Sequence, residues 1–139
     1  MIRTASANWQ GNLKEGKGTV STQSGVLNKT NYSFKTRFEE GETGTNPEEL
    51  LAAAHAGCFT MQVAALIGKK DLIPISLDTI ATLTMEGLEI KSIHLSITGS
   101  VSGLSADEFT AITKDAGKNC IVSKALSILI TSDAHLIAV

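Results

Sequence analysis

Over the first forty residues apolar and polar positions alternate in short runs. IRTASANW, GKGTVST and YSFKTRF each carry the period of two expected of strands, and Gly11, Gly16, Gly18 and Gly25 punctuate them as hairpin turns would. The polar, glycine-bearing EEGETGTN that follows reads as a loop. At Pro47 the pattern changes. Residues 50–68 run for nineteen positions without Asp, Glu, Lys or Arg. Asn46 is a good N-cap, Pro47 suits the first helical position, and Glu49 completes a capping-box-like pattern. Glu48 and Glu49 complement the positive end of the helix dipole, Lys69 and Lys70 the negative end, and Gly68 is a natural stop. The spacing predicts a helix over 47–67, either continuous or broken near Gly57.

Beyond Pro74 the period of two returns. Leu83 and Met85 suit an inward face, and Ile93, Leu95 and Ile97 alternate with Ser92, His94 and Ser96 to give a half-buried strand. A loop from Gly99 leads to Ser105, which with Glu108 forms a second capping box opening the helix ADEFTAITKDAG. Cys120 follows within GKNCIVSKAL, and SILITSDAHLIA is a last strand. Strands, helix, strands, helix and strand in that order predict a single α+β domain over 1–139 with mainly antiparallel pairing.

Composition narrows the function. A net charge of −2 gives no basic footprint for nucleic acid, and 4% aromatic residues argue against stacking platforms for single strands or sugars. No secretory signal opens the chain, and two cysteines do not make a disulfide framework, so a reducing cytoplasm is the expected compartment. The charge-free run approaches a bilayer span in length. Its alanines, glycines, His55 and Gln62 point instead to a helix covered by protein, with no membrane partner.

Projected at about 100° per residue, Leu51, Ala54, Gln62 and Ala65 share a face with Cys58, and Glu48, His55 and Gln62 form a polar stripe beside it. Buried polar groups need partners, so this stripe marks one side of the helix for chemistry. A reactive thiol needs its thiolate favoured by a cation or a helix N-terminus. In an unbroken helix Cys58 lies too far from the N-terminus for the dipole to act. Only two arginines exist, Arg3 and Arg37. Arg37, in a strand-like run, is a plausible partner for Glu48 through directional, bidentate pairing. Each residue also has a plain structural reading: Cys58 and His55 as core residues, Glu48 as a dipole partner, Arg37 as an exposed strand arginine.

The segments GKGTVSTQSGVLN, FKTRFEEGETGTNPEELLAAAHAGCFTM and GKNCIVSKAL resemble the OsmC/Ohr family of osmotically inducible and organic hydroperoxide resistance proteins, nearer the OsmC branch. The similarity spans essentially the whole chain. It implies antiparallel sheets wrapped around long central helices in an intertwined homodimer, with active sites at the subunit interface. It also implies a cofactor-free cysteine peroxidase that reduces organic hydroperoxides, and hydrogen peroxide less efficiently, at the expense of an external thiol, dithiol or lipoyl-type reductant. The family's peroxidatic cysteine falls on Cys58, its resolving cysteine on Cys120, its activating arginine on Arg37 and the glutamate holding that arginine on Glu48. His55, Gln62 and Phe59 are expected around the pocket. One departure is Ile121, where the family usually has a proline, which leaves the turn at Cys120 open.

Two other readings compete. Cys58, His55, Cys120 and His94 have ligand types suited to zinc, but their spacing matches no compact zinc pattern. A catalytically silent assembly domain with two buried cysteines is the other. In a straight helix Glu48 and Cys58 stand ~15 Å apart along the axis. Either the helix breaks near Gly57, or the Glu48 that meets a given Arg37 belongs to another subunit.

Overall fold

The computed structural model describes residues 1–139. The chain divides into two compact units, Met1–Leu50 and Leu51–Val139. The first holds the strands β1 (Ala5–Gln10), β2 (Lys17–Thr22) and β3 (Thr30–Tyr32), paired antiparallel in that order, and the short helix α1 (Phe34–Phe38). Gly18 on β2 lies so close to Tyr32 and Trp9 that a Cβ there would come within 2.4 Å and 2.7 Å of their rings.

Helix α2 (Pro47–Gly68) begins in the first unit and runs through the second. The amide of Glu49 donates to the Asn46 side chain at 2.7 Å, as the N-cap pattern predicts. The helix passes through Gly57 without a break, so that alternative is excluded. Its end also differs from expectation: Gly68 is still helical, and the left-handed residue that turns the chain is Asp71, at φ 58°.

In the second unit β4 (Ser76–Glu86) pairs antiparallel with β5 (Glu89–Ser100). The helices α3 (Ala106–Asn119) and α4 (Ile121–Ala125) then lead to β6 (Leu129–Ile137), which pairs with β5 in parallel. The pairing is mainly antiparallel, as expected, and β6 is the one exception. A chain that leaves β5 and returns through two helices crosses back to the starting end, and a parallel neighbour results. The Ser105–Glu108 capping box forms in both directions.

Ile93, Leu95 and Ile97 are fully buried, as their alternation predicts, and form one core with Phe59, Val63 and Ile67 of α2 and Phe109, Ile112 and Ala116 of α3. Burying each isoleucine of β5 contributes about 1.5–3 kcal/mol. Gly99 makes room for Phe109: a Cβ at that position would stand 2.5 Å from its ring. Helix α2 is less covered than its composition suggested. His55, Phe59, Val63 and Ile67, four residues apart, form its buried stripe, while Ala53, Ala54, Met61 and Ala65 remain exposed.

Candidate active site

The strand predicted through YSFKTRF stops at Tyr32. Ser33 caps α1 instead: its hydroxyl accepts from the Thr36 amide at 3.2 Å, and the Thr36 hydroxyl accepts from the Ser33 amide at 2.8 Å. Local side chain–backbone bonds of this kind outcompete a sheet ladder. They place Phe34 and Phe38 four residues apart on one helical face, their ring centroids separated by 5.0 Å. Asn46 then joins α1 to the start of α2, because its amide donates to the Thr36 carbonyl at 3.1 Å while its oxygen caps Glu49. The Glu49 carboxylate takes the Thr45 hydroxyl rather than closing a capping box.

This arrangement sets Arg37 opposite Glu48 within the same chain. Arg37 Nε donates to Glu48 Oε1 at 2.7 Å. The contact is single rather than the bidentate one expected. The Glu48 side chain is only 11% exposed and its Oε2 has no partner, whereas the Arg37 side chain is 43% exposed. A guanidinium held through Nε keeps its terminal N–H groups free for another anion. The guanidinium carbon also lies 5.2 Å from the centre of the Phe38 ring. A cavity of about 270 Å³ opens beside it, lined by Trp9, Leu13, Tyr32, Phe34, Phe38 and Arg37. Four of the chain's six aromatic residues therefore gather here. A larger cleft of about 590 Å³, walled by Arg3, Thr4, Thr22 and Gln23, holds no thiol, histidine or carboxylate.

The thiols lie in the second unit. Cys58 is half-buried on α2 and Cys120 fully buried, and both are free. Cys120 ends α3 and caps α4, its sulfur accepting from the Ser123 amide at 3.4 Å. Ile121, in place of the family's proline, occupies the first position of α4. A helix has no internal partner for that N–H in any case, so the turn survives the loss of proline. Cys120 Sγ donates to Ser123 Oγ at 3.0 Å, and Ser123 Oγ lies 2.7 Å from His55 Nε2. His55 is fully buried, which lowers its pKa by disfavouring the imidazolium, and its Nδ1 has no partner.

Of the other expected residues, Gln62 is half-buried on α2 and Phe59 is a fully buried member of the core. The zinc reading loses its fourth residue. His94 lies on the face of β5 opposite Ile93 and Leu95, bound to Thr131 and Asp133 at 2.6 Å each. Asp133 also accepts from Ser96 at 2.7 Å, and these two bonds, the serine's first, lower its pKa. Three or more His, Cys, Asp or Glu side chains do not gather anywhere as metal ligands. The aromatic cavity and Ser123 are what the sequence reading missed. The crowding of so few aromatic residues into positions 9–38 was the available signal for the first.

Residues 39–133 match the family model described as OsmC-like protein. The chain belongs to the OsmC-like family. It is 46% identical over 134 residues to Peroxiredoxin OsmC of Escherichia coli (strain K12), covering 94% of this chain and 93% of that one. It is 32% identical over 94 residues to the organic hydroperoxide resistance protein OhrA of Bacillus subtilis (strain 168), covering 66% of each. The fold is similar to that of the OsmC-like protein of unknown function from Vibrio cholerae O1, with a TM-score of 0.74, 15% identity and coverage of 96% and 99%. It is also similar to the crystal structure of OhrB of Bacillus subtilis, with a TM-score of 0.67, 21% identity and coverage of 96% and 98%. OsmC-like membership therefore covers Glu48, Cys58 and Cys120 within the matched segment, and Arg37 lies just ahead of it.

Proposed function

We propose that this OsmC-like protein is a thiol-dependent peroxidase that reduces organic hydroperoxides in stress defence. The observation that carries the reading is Arg37, held through Nε by a buried Glu48, with its terminal N–H groups unengaged at the wall of an aromatic cavity. Such a cation favours a thiolate and then the oxygen leaving a peroxide. The aromatic wall suits an apolar organic tail better than hydrogen peroxide. Relatives named peroxiredoxin and organic hydroperoxide resistance protein support the same chemistry.

The Cys58 thiolate attacks the terminal peroxide oxygen. The O–O bond breaks, the alkoxide leaves and takes a proton to become the alcohol, and Cys58 is left as a sulfenic acid. The Cys120 sulfur then attacks the Cys58 sulfur, forming a disulfide and releasing water. An external dithiol, lipoyl-type or other, reduces the bridge by exchange in a reducing cytoplasm and restores both thiols. The protein needs no cofactor in this scheme. Because α2 is continuous and Glu48 and Cys58 lie about 15 Å apart along it, an Arg37 held by its own Glu48 meets a thiol of the partner copy. This reading takes the protein as a homodimer with sites at the subunit interface and sheets wrapped around the central helices. The exposed Ala53, Ala54, Met61 and Ala65 of α2 support that partner surface.

The test is peroxide loss with cumene hydroperoxide and a dithiol. Wild-type protein consumes the peroxide, and Cys58→Ser protein does not. Unchanged consumption in the variant would sink the assignment.

A further inference from the structure

Two of the polar groups buried in the Leu51–Val139 core, the His55 imidazole and the Ser123 hydroxyl, take no part in the peroxide step. They are not independent. Cys120 Sγ, Ser123 Oγ and His55 Nε2 form a chain with links of 3.0 Å and 2.7 Å, and its two ends lie on different elements, α2 and the α3–α4 junction. The chain can carry a proton in one direction from the thiol. With Cys120 S–H donating to the serine oxygen, the serine O–H can donate to Nε2 in the tautomer that carries the imidazole proton on Nδ1. Such a histidine is a neutral acceptor at the end of a two-bond path from the thiol.

We propose that Ser123 and His55 are a proton relay for Cys120, positioning its sulfur and taking its proton as it attacks oxidised Cys58. This inference rests on the peroxidase reading and adds residues to its second step. As the sulfur–sulfur bond forms, the Cys120 proton passes to Ser123 Oγ, and the serine proton passes to His55 Nε2. The S–O bond of the Cys58 sulfenic acid breaks, hydroxide leaves, and the relay run in reverse returns the proton, so that water departs and His55 is neutral again. No oxidant beyond the peroxide already consumed is required.

Burial suits the imidazole to this part, because the imidazolium is disfavoured there and the proton is passed on rather than kept. The alternative for a buried histidine is to tie two elements together. That role needs a hydrogen-bonding side chain but not a base, and the difference can be measured.

Reduced protein is pulsed with one equivalent of cumene hydroperoxide, and two signals are followed. Peroxide loss reports the Cys58 step, and decay of dimedone-trappable sulfenic acid reports the disulfide step. The relay predicts that Ser123→Ala and His55→Gln each slow sulfenic acid decay by roughly 10²-fold, with Ser123→Thr near wild type. It predicts that the double variant is no slower than either single one, and that a solvent deuterium isotope effect on this step disappears in both. Decay at the wild-type rate in Ser123→Ala, or full activity and a retained isotope effect in His55→Gln, would overturn the relay. Equal slowing of both steps would also overturn it, by assigning the pair to the packing of α2. Ser123→Ala removes a single oxygen, so it keeps the test valid if His55→Gln does not fold. Absence of peroxide loss in wild-type protein is a separate result and overturns the underlying peroxidase reading.

Discussion

The two units of the chain hold their functional groups by different means. Leu51–Val139 buries twelve apolar side chains, Cys120 among them, and Ser123 and His55 are set in the same core. Met1–Leu50 buries none. Its sheet is kept in order by backbone ladders and by contacts such as the Trp9–Tyr32 ring pair, with centroids 5.6 Å apart. The Arg37–Glu48 link accordingly depends on a cap, an amide bridge and one ion pair. Cys120, Ser123 and His55 are thus held by packing on every side. The Arg37 guanidinium, by contrast, sits where its outer face is open.

The contrast can be broken most severely by truncating a ring in each unit. Phe109→Ala removes a fully buried side chain and is expected to cost about 3–5 kcal/mol in urea unfolding. Trp9→Ala in the first unit is expected to cost only about 1 kcal/mol. Comparable losses would mean that Met1–Leu50 shares the core's rigidity. Next comes Glu48→Gln, which keeps the size of the side chain but removes its charge. Stability should fall by about 1 kcal/mol. Peroxide loss should slow roughly tenfold or more in a single turnover, because Arg37 is no longer aimed by a full charge.

The smallest effect expected is a pH dependence from His55. Its pKa is held below the ordinary 6.5 by burial, so the unfolded chain takes up a proton that the folded chain does not. Its contribution to stability is present above the unfolded value and is lost as the pH falls from there toward the folded value. Thermal unfolding of wild-type protein from pH 7.5 down to 5.5 should show that loss, and His55→Gln should show a flatter profile. Identical slopes would mean that His55 does not contribute through its titration.

Elements carried by one local pattern were readable from the residues. Asn46, Pro47 and the charge-free run give α2, Ser105 with Glu108 gives the start of α3, and the isoleucines of β5 give its inward face. The helix at Arg37 was obscured because alternation and a reciprocal Ser33–Thr36 cap compete over the same seven residues, and the cap wins. The direction of β6 was not legible, since nine residues with a period of two pair equally well either way and only the crossover decides. The candidate site divided along the same line. Glu48 and Arg37 could be paired by charge, while the His55–Ser123 bond joins residues 68 positions apart and leaves no local trace. The aromatic cavity forms only when the β1–β2 and β2–β3 turns bring Trp9 beside Tyr32.

The parallel return of β6 has a consequence for the birth of the protein. α3 packs against β6, and Gly117 sits so near Ser132 that a Cβ on it would be 3.4 Å from the hydroxyl. The wall behind the Cys120 segment is therefore made by residues that are synthesised after both cysteines. Closing that long-range contact is slow compared with forming the hairpin of β4 and β5. Throughout that interval both thiols are synthesised but the pocket that disciplines Cys120 is unfinished. Both thiols therefore emerge before β6 can close over α3, and a newly made chain presents them without the cover that the finished core gives Cys120.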